Sequence, residues 1–153
     1  MLAIIHALMG GFIGEEFHSV LFIILASFVL HFIMDMLPHW DANFDRKKFH
    51  ASGEPPQLSR FAKVWFITDM LIALILIISL YQIFDNKKII LGAFIGILPD
   101  LMSLGYKTKL RNNKRYAKFV KFHSKIQGET NWQKSLISQA IIIAIIISLF
   151  FIF

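Results

Sequence analysis

The sequence predicts an all-α, polytopic transmembrane bundle of about five hydrophobic segments, the first one short, with a basic interfacial helix added. Three observations predict it. The chain is 56% hydrophobic and 17% charged, where a soluble domain of its size is about half apolar and about a quarter charged. Its apolar residues are gathered into runs at 19–38, 61–84, 88–105 and 134–153, each near the roughly 18–20 residues that cross about 30 Å of hydrocarbon. Its charges are gathered between those runs, and the net charge is +6.

The stretch from Leu2 to Gly14 is apolar but would reach only about 20 Å as a helix. It has no basic leader and no small-residue cleavage site, so it is expected to stay in the mature protein as a short, tilted or half-buried helix. The second run ends at Pro38, and the residue before a proline disfavours the helical region, so the chain should leave the helix there. The third and fourth runs form a hairpin about Asp85-Asn86-Lys87-Lys88. That hairpin places the loops at about 41–60 and 106–133 on the same side of a single integral membrane domain covering 1–153. Arg46, Lys47, Lys48, Arg60 and Lys63 cluster around the first loop and a longer run from Lys107 to Lys134 fills the second, so both are expected in the cytoplasm. The N-terminus then lies inside and the C-terminus outside a bacterial inner membrane, although Lys87 and Lys88 on the outer turn run against the rule. Trp40, Trp65, Tyr106 and Trp132 flank the spans at the inner face, where amphipathic rings favour the headgroup layer.

Within the second loop Tyr116, Phe119, Val120 and His123 recur at helical spacing, with Lys114, Arg115, Lys118, Lys121 and Lys125 mostly elsewhere around the wheel. This describes a basic helix lying along the inner leaflet, ended by Gly128 near Gln127. The expected partners are the bilayer and a lipid-like substrate. Charge alone supports no nucleic-acid role beside so much hydrocarbon, and the oligomeric state is open. Gly10, Gly11, Gly14, Gly92 and Gly96 offer small faces where helices can approach closely.

A charged side chain within a span costs roughly 2.5–3.5 kcal/mol, so the ionisable residues there need a reason. HFIMDMLPHWD carries His31, Asp35, His39 and Asp41. The first three stand at i, i+4 and i+8, one helical stripe that Pro38 interrupts. His39 and Asp41, two apart in extended chain, could point the same way. Asp69 lies about two turns into the third run, Asp100 follows Pro99 at the end of the fourth, His6 is near the N-terminus, and His123 is on the apolar side of the basic helix. All of these map to one side of the membrane. Imidazole nitrogens and carboxylate oxygens suit zinc, the leading candidate, with manganese or iron(II) as alternatives. The absence of cysteine excludes thiolate ligands. Two histidines and three aspartates suffice for one or two ions, and a divalent ion at such a site supports hydrolysis. The alternative is an interhelical polar network with no metal, in which Asp100 is a turn residue, Asp69 pairs with Lys63 or Arg60, and His6 and His123 are interfacial histidines.

HALMGGFIG, HFIMDMLPHWD and GAFIGILPD together resemble a small bacterial family of predicted membrane-bound metal-dependent hydrolases, the group that includes a LexA-regulated inner-membrane protein. The resemblance spans most of the chain. It implies a metal site built from an early His, a Pro-Asp after a Gly-rich span and a later His motif, which fall here on His6, Pro99-Asp100 and His123. The chain departs from the family after Asp100, where Leu101-Met102-Ser103 replaces a second Asp and a His. It departs again at Phe122-His123-Ser124-Lys125, a reduced form of a longer His motif. Either the segment around Pro38-His39-Trp40-Asp41 supplies the missing ligands or the reaction is lost.

The combined expectation is a hydrolase of a lipid-like ester or phosphoester at the cytoplasmic boundary. Its metal ligands would be His31, Asp35, His39, Asp41 and Asp100, joined through the resemblance by His6 and His123, with Asp69 as general base or further ligand. The competing reading is a non-catalytic membrane protein, such as a metal-binding, permeation or helper subunit, that uses the same residues structurally.

Overall fold

The structure, a computed structural model, describes residues 1–40, 49 and 59–152. The described chain is all-helical apart from one minimal strand pair. Its helices are α1 (Ala3–Glu16), α2 (Val20–Asp35), α3 (Arg60–Phe84), α4 (Lys87–Leu104), α5 (Lys114–Ile126) and α6 (Trp132–Ile152), with two 3-10 turns, Gly105–Lys107 and Lys109–Asn112, between α4 and α5. The ends follow local chemistry. Ser19, Ser59, Asn86 and Asn113 each accept a backbone N–H from the first turn of α2, α3, α4 and α5 respectively, filling donors that a helix start leaves empty. Asp85 closes α3 in the left-handed region at φ 48°, and its N–H bonds the Tyr81 carbonyl at 2.8 Å. Asp41, expected as a ligand, lies outside the described residues, as do Arg46, Lys47 and Lys48.

The expected apolar runs all become helices, but their lengths differ from five spans. Among the described residues two helices, α3 and α6, are long and apolar enough to cross a membrane. α2 is apolar but has 16 residues, α1 has 14, and the 18 residues of α4 include Lys87, Lys88 and Asp100.

α1 is the core of the bundle and is more enclosed than its length suggested. It packs against α2, α3, α4 and α6, and Ile5 and Leu8 are fully buried. A helix apolar on every face finds its place by being surrounded. Its tightest neighbour is α4, which runs antiparallel to it. A Cβ built on Gly10 would stand 2.1 Å from the Gly92 carbonyl oxygen, one on Gly14 2.0 Å from that of Lys88, and one on Gly96 2.3 Å from that of His6. The two backbones therefore touch along G-x-x-x-G on both helices, a contact that any side chain would push apart. The polarity of the bundle is inverted. Leu21, Leu25, Ile67, Ile75, Ile137 and Ile141 are each more than half exposed, whereas His6, His31, Asp35 and His39 are buried.

Pro38 ends α2 as expected, and the chain then pairs β1 (Pro38–His39) in parallel with β2 (Gly128–Glu129). Gly128 sits so close to the Met36 and Leu37 carbonyls that a Cβ would stand 2.7 Å from each oxygen. This pair ties the exit of α2 to the link between α5 and α6.

Gly10→Ala is expected to cost about 3 kcal/mol, roughly 6–12 °C in the unfolding midpoint of the detergent-solubilised protein. Gly11→Ala faces a flexible Ile77 side chain at 3.2 Å and should shift the midpoint little. Equal shifts in a thermal melt would refute the backbone contact.

Candidate metal centre

Four side chains from three helices converge at one end of the bundle. His31 and Asp35 come one turn apart from the end of α2, Asp100 from the last turns of α4, and His123 from the buried face of α5. One ligand atom from each lies within 4.8 Å of all the others. The His123 Nε2 is 2.8 Å from Asp35 Oδ2 and 3.0 Å from His31 Nε2. His31 Nε2 is 3.3 Å from an Asp35 oxygen, and Asp100 Oδ1 stands 3.6 Å from His123 Nε2 and 3.9 Å from His31 Nε2. A tetrahedral ion with ligand bonds of about 2.0 Å separates its ligand atoms by about 3.3 Å. The observed spacings bracket that value.

The protons on the two histidines can be assigned from what they face. His31 Nδ1 is 2.7 Å from the Gly96 carbonyl oxygen, which only accepts, so this nitrogen carries the hydrogen. Where Ser103 Oγ donates to the Pro99 carbonyl at 3.0 Å, its oxygen is left to accept from His123 Nδ1 at 2.8 Å. In the neutral rings both Nε2 atoms then present lone pairs, to each other and to the Asp35 carboxylate. With His123 in this tautomer three acceptors meet in a buried place, an arrangement that a metal ion or an added proton among them would satisfy. A histidine whose far nitrogen is fixed by a carbonyl or hydroxyl is the arrangement that orients metal ligands.

Around this group the other predicted residues take different places. His6 belongs to the next layer: its Nε2 donates to Asp35 Oδ1 at 3.1 Å, its ring lies 4.0 Å from that of His31, and its Nδ1 is buried without a partner. Asp35 is thus held on both oxygens, with Gln127 Nε2 donating to Oδ2 at 3.3 Å and the Met1 amino nitrogen 3.2 Å from Oδ1. His39 is buried in β1, where its Nδ1 donates to the Leu37 carbonyl at 2.8 Å, and it stands apart from the four. Asp69, expected as a base or ligand, serves the start of α1 instead. Its two oxygens accept the Ala3 and Ile4 N–H groups at 2.6 and 3.2 Å. Gln139 of α6 accepts the Leu2 N–H at 2.8 Å and donates to Ser135 Oγ at 2.6 Å, and Ser135 also takes the Trp40 N–H at 2.9 Å.

Ser103, Gln127, Ser135 and Gln139 were not signalled by sequence reasoning. Ser103 stands one turn beyond Pro99 and could have been found only by asking what fixes the far nitrogen of a histidine on another helix. No protein-family model, curated protein or solved structure matches the chain.

Two substitutions separate the roles. Ser103→Ala removes the acceptor of His123 and is expected to weaken zinc binding by about 10–100-fold in a chelator competition. Asp69→Asn is expected to lower the unfolding midpoint while leaving zinc stoichiometry unchanged; loss of zinc from that variant would return Asp69 to the metal centre.

Proposed function

We propose that the chain is a polytopic membrane protein with a His/Asp metal centre near the cytoplasmic boundary, acting as a hydrolase of a lipid-like ester or phosphoester. The observation that carries it is the meeting of two histidine lone pairs and a buried carboxylate, each fixed from behind, at spacings that fit one ion. His31, Asp35, Asp100 and His123 would hold it, with zinc the leading candidate. A bound divalent ion supplies Lewis acidity and a nucleophilic oxygen from water at neutral pH. The chain's own contribution is orientation: Gly96, Ser103, His6 and Gln127 fix the ligands, and the low-polarity surroundings strengthen every charge interaction inside. Asp35 is sealed, whereas the Asp100 side chain is 17% exposed, so substrate would approach past Asp100.

The membrane reading is supported by the inverted polarity, since contiguous exposed apolar faces of this extent belong against lipid. With α3 and α6 as full spans, the shorter apolar helices complete the bundle by tilting or by locally thinning the bilayer. The basic segment from Lys109 to Lys125, which carries His123, supports a cytoplasmic setting for the chemistry-bearing end by the positive-inside rule. The resemblance to membrane-bound metal-dependent hydrolases agrees through His6, Asp100 and His123, with His6 behind the ligands. The closed hydrogen bonding around Asp35 favours a second reading, a structural site without turnover.

Elemental mass spectrometry of the detergent-solubilised protein is expected to find about one zinc, manganese or iron per chain, lost in Asp35→Asn and in His31→Ala/His123→Ala. Absence of metal from the parent protein after supplementation overturns the metal centre. Metal binding without hydrolysis across lipid ester and phosphoester substrates favours the structural site.

A further inference from the structure

α5 brings His123 to the candidate centre on a narrow buried face, backed by a small cluster of Val120 with Phe49 and Tyr106. Of its 13 residues, Val120, His123 and Ser124 are buried. Phe32 of α2 meets the rings of Phe119, Phe122 and His123, and the Tyr116 hydroxyl donates to the Met102 carbonyl. Burial foremost, with Tyr106 beside it, pushes the Tyr116 phenol above its ordinary pKa and keeps it a donor. A helix this short is marginal on its own.

The opposite face works against it further. Lys114, Lys118, Lys121 and Lys125 are exposed and stand at i, i+4, i+7 and i+11, one stripe of like charge whose neighbours repel. No carboxylate lies between Asp100 and Glu129 in the sequence to offset them. Beside the stripe Phe122 is 54% exposed, and through Phe32 the helix adjoins α2, whose Val29, Ile33 and Met36 are exposed as well. A cationic stripe continuous with an apolar outer face is complementary to a bilayer surface, phosphate above and acyl chain below.

We propose that α5 docks on anionic phospholipid headgroups through this lysine stripe, and that docking seats His123 in the metal centre, so that the ion is held more tightly in a negatively charged membrane. Headgroup phosphates relieve the repulsion along the stripe, order the helix and fix its buried face. The coupling rests on the proposed metal site; the lipid preference does not.

The test uses the whole protein in nanodiscs of phosphatidylcholine with or without phosphatidylglycerol, reading retained lipid by native mass spectrometry and zinc release to a chelator. The parent protein should retain phosphatidylglycerol selectively and release zinc slower, on the order of tenfold, in its presence. Lys114→Gln/Lys118→Gln/Lys121→Gln/Lys125→Gln should lose both effects. His123→Ala should keep the lipid preference and lose the ion. No selective retention by the parent protein overturns the docking, and so does an oligonucleotide that binds the same lysines in preference to the lipid. Equal zinc release in the two discs overturns the coupling alone. If no zinc binds at all, the metal centre fails and takes the coupling with it, while the retained-lipid measurement still decides the docking.

Discussion

Everything at the chemical end of the bundle depends on the direct backbone contact between α1 and α4. Because glycines let the two helices touch, the His6 carbonyl comes within reach of Gly96, and His6 and Gly96 enter the same small volume. The Gly96 carbonyl then takes the Nδ1 hydrogen of His31, while His6 reaches the far oxygen of Asp35. A separation wider by one methyl group would remove both supports. The glycines therefore act on the site through geometry, although none of them carries chemistry.

The second constraint is the placement of polar groups inside an apolar shell. Asp35 is fully buried and is held there by His6, Gln127 and the Met1 ammonium, with the His31 and His123 Nε2 atoms beside it. In such surroundings an unmatched charge is costly, and a matched one is fixed in place. The same logic appears a turn away, where Asp69 and Gln139 satisfy the first N–H groups of α1. Two polar sets thus share one end of the bundle. One is occupied with backbone; the other has histidine nitrogens facing one another.

Much of the helical frame was legible because apolar runs are local signals: the runs at 61–84 and 88–105 foretell α3 and α4, and Pro38 the departure from α2. Four of the expected ligands, His31, Asp35, Asp100 and His123, do meet, as their expected convergence on one end of the helices implied. Their partition from Asp69 was not readable. A buried carboxylate that caps a helix 66 residues away and one that faces histidines look alike along the chain. His39 shows a related limit, because Pro38 turns the chain into β1 and removes the residue from the stripe that its spacing suggested. The central position of α1 was hidden for a different reason: a segment apolar on all faces reads equally as a short span or as a core.

The capping of α1 has a consequence for how the chain is assembled. Its first N–H groups are satisfied by Asp69 and by Gln139, 137 residues beyond Leu2. During synthesis α1 precedes every partner that encloses it: the His6 ring waits for Asp35 of α2, the Ala3 and Ile4 N–H groups for Asp69 of α3, and the Leu2 N–H for Gln139 of α6. Closure over separations this long is entropically slow. A chain that stalls before α6 therefore carries α1 with its Leu2 N–H still uncapped.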